Sequence, residues 1–162
     1  MRILVTGRDG QVARCLADLA DEGREVVCLG RPELDLTDRA SIDAAIAKVR
    51  PDVVVNPAAY TAVDKAESDR EAAYAVNAAG AENVAAAAAA AAIPIVHIST
   101  DYVFSGDKDA PYVETDETGP TGVYGASKLE GEKRVLAANP KAVVLRTAWV
   151  FSPYGNNFLK TM

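Results

Sequence analysis

Tyr124 and Lys128 stand four residues apart in Tyr124-Gly125-Ala126-Ser127-Lys128, a spacing that puts a phenol and an ammonium on one face of a helix. A nearby ammonium can draw a phenol's pKa down from about 10 toward neutrality, so the pair reads as a proton carrier and its tuner. Such a spacing arises by chance in roughly a quarter of chains with 6 tyrosines, so its context must carry the reading. Upstream, Ile98-Ser99-Thr100-Asp101-Tyr102-Val103-Phe104 sets two hydroxyls and a carboxylate at the end of a β-branched run. That edge is where ligands bind in open α/β sheets, and strand-end capping is the alternative role for Ser99 and Thr100. His97, the only histidine, has apolar neighbours and no second metal ligand beside it, and reads as a core residue.

A second constellation opens the chain. Thr6-Gly7-Arg8-Asp9-Gly10-Gln11-Val12-Ala13 is a Gly-x-x-Gly-x-x-Ala loop between a strand and a helix. Gly7 and Gly10 permit a tight turn and a close approach of backbone to a pyrophosphate, whose charge is met by free N–H groups at the helix start. Alanine at the third small position still lets the helix lie on the strand. A glycine turn without a ligand is the competing account, disfavoured by the loop's place after the first strand. The second strand ends in Leu29-Gly30-Arg31, where an acid would usually hold the adenosine ribose. Arg31, helped by Arg8, suits a 2′-phosphate instead, so NADPH is the expected cofactor. If Arg31 is only a solvated charge, Glu33 or Asp35 takes the ribose and NADH is admitted.

These residues need a sheet to hold them. Strand-like runs at residues 2–5, 25–29, 53–56, 95–98 and 142–146 alternate with helical stretches at 11–20, 41–49, 69–92 and 124–138. Apolar strands separated by helices predict an α/β fold: a Rossmann-like, doubly wound parallel sheet forming one dinucleotide-binding domain over 1–162. The alanine run from Ala85 to Ala92 reads as a closely packed core helix. At the far end Phe158, Leu159 and Met162 begin an apolar helical face within which the chain stops, so it is expected to be truncated mid-element.

Composition excludes several partners. A net charge of -6 disfavours nucleic acid and anionic membrane, and no apolar run approaches the roughly 20 residues of a membrane span. Cys15 and Cys28 are too few for a disulfide framework or a zinc site, so no metal is expected. Met1 leads into a strand without a signal-peptide pattern, which predicts a cytoplasmic protein.

The chain resembles the extended short-chain dehydrogenase/reductase family, and within it the dTDP-4-dehydrorhamnose reductases. The resemblance rests on the Gly7 to Val12 loop, the run from Val55 to Glu67, Val76-Asn77-Ala78 and Ser99 to Phe104. It continues through Val123-Tyr124-Gly125, Arg146 to Val150 and Gly155 to Phe158. It implies NADPH-dependent reduction of the 4-keto group of dTDP-4-dehydro-6-deoxy-L-mannose to dTDP-L-rhamnose. By that likeness Tyr124 gives the proton, Lys128 also holds the nicotinamide ribose, and Thr100 polarises the carbonyl. Gly10, Gln11 and Val12 correspond to the pyrophosphate loop, Asp35 and Leu36 to adenine neighbours, and Ala58, Ala59 and Tyr60 to the wall along the cofactor. Asp101, Trp149, Thr61 and Val63 correspond to substrate contacts. Pro57 and Tyr60 depart from the usual alanine and histidine. Family members are commonly homodimers and continue beyond this length, so the resemblance implies a chain truncated before a smaller C-terminal substrate region. Related possibilities are another nucleotide-sugar reductase or epimerase, and a non-catalytic regulatory subunit such as that of methionine adenosyltransferase. The intact Thr100, Tyr124 and Lys128 argue against the last.

Overall fold

The computed structural model describes every residue from Met1 to Met162. Its strands are β1 (Arg2–Thr6), β2 (Glu25–Leu29), β3 (Val53–Asn56), β4 (Ile95–Thr100) and β5 (Ala142–Thr147). They form one sheet in the order β2-β1-β3-β4-β5, with every pairing parallel. Seven helices connect and flank them: α1 (Gln11–Asp18), α2 (Arg39–Val49), α3 (Val63–Ala66), α4 (Arg70–Tyr74), α5 (Ala81–Ala90), α6 (Val123–Ala138) and α7 (Phe158–Thr161).

Side-chain alternation along the strands decides which face each helix covers. Leu4, Val54 and Ile95 point into the main core, where they meet Ile42 and Ile46 of α2, Val84 of α5 and Val135 of α6. Ile3 and Val5 point the other way, onto Ala13 of α1. Both faces are therefore packed with helices, as the sequence predicts for a doubly wound sheet. Ala85, Ala87 and Ala88 are buried, and their small side chains let α5 lie close to its neighbours. No helix is long and apolar enough to cross a membrane.

The strand order also fixes where a ligand can enter. From β1 the chain winds outward to β2, then returns to the other side of β1 for β3, so the carboxyl ends of β1 and β3 open a crevice between them.

Several boundaries differ from the sequence expectation. The predicted helix over 69–92 is α4, a six-residue π-helical stretch (Ala75–Gly80) and then α5. The widened turn carries Asn77 into the interior, and Gly80 passes Leu36 so closely that a Cβ there would lie 2.9 Å from the leucine's own. Helix α2 starts two residues earlier than expected because Asp38 caps it, accepting from the Ala40 amide at 3.0 Å. Helix α1 ends at Asp18, whereas β4 runs on to Thr100 and β5 to Thr147. The short α3, and a 3-10 turn at Asp101–Val103, were not legible in the pattern.

Candidate active site

A cleft of about 890 Å³ lies over the carboxyl ends of β1, β3 and β4. Its floor begins with Gly7, whose φ of +84° lies in the left-handed region that glycine alone adopts readily. A side chain at Gly7 would also meet Ala58 across the switch point, with 3.6 Å between the two Cβ atoms. Helix α1 then starts at Gly10 without any side-chain cap and with no acidic residue in its first turn. The amides of Gln11, Val12 and Ala13 thus precede the first intrahelical donor, the Arg14 amide bonded to the Gly10 carbonyl at 3.0 Å, and these residues line the cleft. Nothing within 4 Å stands where a Gly10 Cβ would be. Bare N–H groups, a helix dipole and free approach together fit a pyrophosphate.

Beside this loop Arg8 pairs with Glu33 at 3.2 Å and donates to the Arg31 carbonyl. Asp35 accepts from the Thr37 amide and hydroxyl at 2.9 and 2.7 Å, which hold its carboxyl below the usual range. Both carboxylates suited to a ribose are therefore engaged. The Arg31 side chain lines the cleft and takes part in no ion pair.

Across the cleft, β4 ends in Thr100 and α6 brings Tyr124 and Lys128 to the same cavity. Thr100 is buried, donates its hydroxyl to Asp101 at 3.0 Å and accepts from the Tyr102 amide at 3.2 Å. It is thus both a cap on the 3-10 turn and a cleft residue. Lys128 is only 2% exposed, and its ammonium donates to the Ile98 carbonyl at 2.7 Å. Burial pushes its pKa down to about 8, and Glu132 one turn along pulls it up.

The expected tuning of the phenol is corrected here. Burial pushes Tyr124 above its ordinary value, the Thr100 hydroxyl draws it back, and the Asp101 carboxylate adds to the rise. The lysine ammonium, anchored on a backbone carbonyl, is not among the groups that lower it. Tyr124 is consequently a fully protonated phenol at neutral pH, suited to giving a proton rather than taking one.

The position of α6 is set by residues far back in the chain. Gly122 cannot cap the helix with a side chain, and Glu67 does so remotely, accepting from the Val123 amide at 2.8 Å. A Cβ built on Gly125 would lie 2.1 Å from the Tyr102 carbonyl oxygen, and one on Gly131 would lie 2.0 Å from that of Asn77. The helix therefore touches backbone at two points. Asn77 accepts from the Tyr60 amide at 2.8 Å, donates to the Tyr60 carbonyl at 3.1 Å and donates to Ser127 at 3.0 Å. It ties the β3 loop to the helix that carries Tyr124. Glu67 and Asn77 fall within the quoted motifs, but only their partners in space reveal what they do. Glu132, also buried, accepts two bonds from Arg146 at 3.0 and 2.7 Å and so locks α6 to β5.

Ala58, Ala59, Thr61, Val63, Asp101 and Trp149 also line the cleft. Trp149 is 74% exposed, at a φ of +54°, with its ring edge-to-face on Phe158 at 5.0 Å. Three expected residues stand outside the lining. Leu36 is buried in the main core, Asp35 faces Thr37, and the Tyr60 hydroxyl donates to Asp69 at 3.1 Å. One contact was unforeseen: Gln11 accepts from Ser152 and Asn157, each at 3.0 Å, so the segment after β5 folds back over the phosphate loop.

His97 is fully buried, as expected of a core residue, but it is not surrounded by apolar groups alone. Thr6 donates to the Asn56 side-chain oxygen, and the Asn56 amide donates to Nδ1 of His97 at 3.1 Å. Burial, with help from the Lys128 charge, pushes its pKa down to about 3. An unfolded chain protonates this residue near pH 6.5, so between there and about pH 3 the unfolded state binds one more proton than the folded state. Stability is therefore expected to fall with decreasing pH by about 1.4 kcal/mol per unit from this group. Urea titrations from pH 7 to 5 would show that increment in the native chain and lack it in His97→Gln.

The model of the RmlD substrate binding domain matches residues 1–162. The chain is 52% identical over 162 residues to a dTDP-4-dehydrorhamnose reductase of Sinorhizobium fredii, covering all of this chain and 55% of that protein. It is 45% identical over 164 residues to a probable dTDP-4,6-dihydroxy-2-methyloxan-3-one 4-ketoreductase of Streptomyces antibioticus, covering 100% and 56%. The crystal structure of a Bacillus anthracis dTDP-4-dehydrorhamnose reductase in complex with NADP superposes with a TM-score of 0.95 at 39% identity, over 99% of this chain and 57% of that one. The chain thus spans about half the length of the relatives it matches. With its parallel sheet, glycine loop and Tyr124–Lys128 helix at one cleft, it belongs to the dTDP-4-dehydrorhamnose reductase family.

Proposed function

We propose that residues 1–162 are the dinucleotide-binding domain of a longer cytoplasmic reductase. Its reaction is reduction of the 4-keto group of dTDP-4-dehydro-6-deoxy-L-mannose to dTDP-L-rhamnose. The observation that carries this reading is the single cleft onto which the uncapped α1 terminus, Thr100, Tyr124 and Lys128 all open. Gly7, Gly10, Gln11 and Val12 hold the pyrophosphate, Ala58 and Ala59 form the wall beside it, and Arg31 takes the 2′-phosphate. NADPH, when bound, supplies the hydride.

Tyr124 gives its proton to the carbonyl oxygen as that oxygen gains charge, and the resulting phenolate is refilled from solvent. Thr100 turns its hydroxyl from Asp101 to donate a hydrogen bond to the same oxygen, and Lys128 holds the nicotinamide ribose. Asp101, Thr61, Val63 and Trp149 contact the sugar nucleotide, for which the exposed indole offers a stacking face. The kinship to a Streptomyces antibioticus protein named as a 4-ketoreductase of another dTDP compound supports the 4-keto position more firmly than the rest of the sugar.

Following NADPH oxidation by the longer protein with the dTDP-keto-sugar tests the reading, and no turnover above the blank would sink it. Cofactor choice is tested separately. Arg31→Ala is expected to weaken NADPH binding roughly tenfold or more in calorimetry, as loss of a charge-assisted contact does, and to leave NADH unchanged. Equal loss for both would remove Arg31 from the phosphate site.

A further inference from the structure

Two buried side-chain atoms have no hydrogen-bonding partner in the protein: Nε2 of His97 and the Oγ of Ser99. Both residues belong to β4, are 0% and 4% exposed, and point to the same face of the sheet because they are two apart. Their Cα atoms are consequently separated by about 6.6 Å, and their side chains stand side by side on that face. Between them lies Ile98, whose carbonyl holds the Lys128 ammonium at 2.7 Å. An ammonium has three donors, and this bond uses one. We propose that His97, Ser99 and Lys128 form an internal binding site for a single water molecule.

The donor and acceptor roles close around that water. The Asn56 amide donates to Nδ1 of His97, so the neutral ring carries its proton on Nε2 and offers a donor to the site. The water oxygen accepts from Nε2 and from Lys128, and one of its own protons goes to Ser99. Both unpaired atoms are thereby satisfied, Lys128 gains a second acceptor, and three polar partners are the usual number for a buried water. Thr6, Ser99 and Lys128 all line the cleft floor, which gives the molecule its way in. The site extends the Thr6–Asn56–His97 chain to the lysine, making one polar seam from β1 to α6. It makes no use of the proposed reaction, and it stands or falls separately from it.

The test exploits His97 being the only histidine. A long-range proton–nitrogen spectrum of the uniformly labelled protein is expected to show one neutral imidazole protonated at Nε2. A water-selective cross-relaxation experiment should give that proton a peak to a long-lived water. Ser99→Ala is expected to lose the water peak while keeping the tautomer, and Lys128→Met to shift the Nε2 resonance. A ring protonated at Nδ1, or an Nε2 proton without a water peak in the native protein, would overturn the proposal. Persistence of the peak in Ser99→Ala would equally remove Ser99 from the site. Where Ser99→Ala does not fold, a high-resolution crystal structure of the native protein decides. Density within hydrogen-bond distance of all three atoms supports the site, and its absence refutes it.

Discussion

Tyr124→Phe, made in the longer protein, is expected to lower kcat by about 1,000-fold while leaving dinucleotide affinity within a few-fold of the native value. The substitution removes one oxygen and retains the ring. The edge-to-face contact with Tyr102, at 5.6 Å between centroids, is therefore kept, and the helix is not disturbed. What disappears is the proton that must reach the carbonyl oxygen as hydride arrives. Burial and the Asp101 carboxylate hold the phenol above its ordinary pKa, so the native side chain carries its proton at neutral pH. Single-turnover absorbance at 340 nm, a wavelength set by the cofactor, separates this loss from a binding defect. A variant that turns over within tenfold of the native protein would show that another group, such as Thr100, delivers the proton.

The largest effect on stability is expected at a position with no chemistry of its own. Gly131→Ala would set a methyl carbon 2.0 Å from the Asn77 carbonyl oxygen, well inside any van der Waals contact. Neither partner can yield by rotating a side chain, because the obstacle is backbone within the π-helical stretch. Relief requires α6 to move away from that segment, breaking the Asn77–Ser127 bond and loosening the packing of Val135 against the core. A loss of roughly 3 kcal/mol or more follows, at the upper end for overpacking. Urea unfolding of the 162-residue chain would register it as a lower midpoint with little change in slope. A cost below about 1 kcal/mol would mean that the helices separate far more easily than their close approach implies. Gly125→Ala, facing the Tyr102 carbonyl, offers the same test nearer the site.

What could be read from the residues alone followed the range of the interactions. The glycine loop and the Tyr-x-x-x-Lys pair are local patterns set by strand, turn and helix geometry, and both reached the same cleft as expected. The five strands were legible because apolar runs between turn residues have few other uses. The direction of the phenol's shift was not, since it depends on how deeply Tyr124 is buried and on Lys128 being held by Ile98. Likewise Glu67 entered only as the end of a motif, and its partner amide lies 56 residues onward. The break in the helix over 69–92 has its cause in Gly80 meeting Leu36 and in Asn77 turning inward, neither of which any periodicity records.

The anchoring of α6 also bears on when the site can exist during synthesis and folding. Its contacts reach back 56 residues to Glu67, 50 to Asn77 and 52 to Glu82. Closing loops of that length must precede any reward from the contacts they form, which makes such pairings slow to appear. Tyr124 and Lys128 can form a helix turn early, but they meet Thr100 and the phosphate loop only once most of the sheet is assembled. The reactive pair is therefore a late product of folding, and a partly folded chain would hold no competent acid beside a bound dinucleotide.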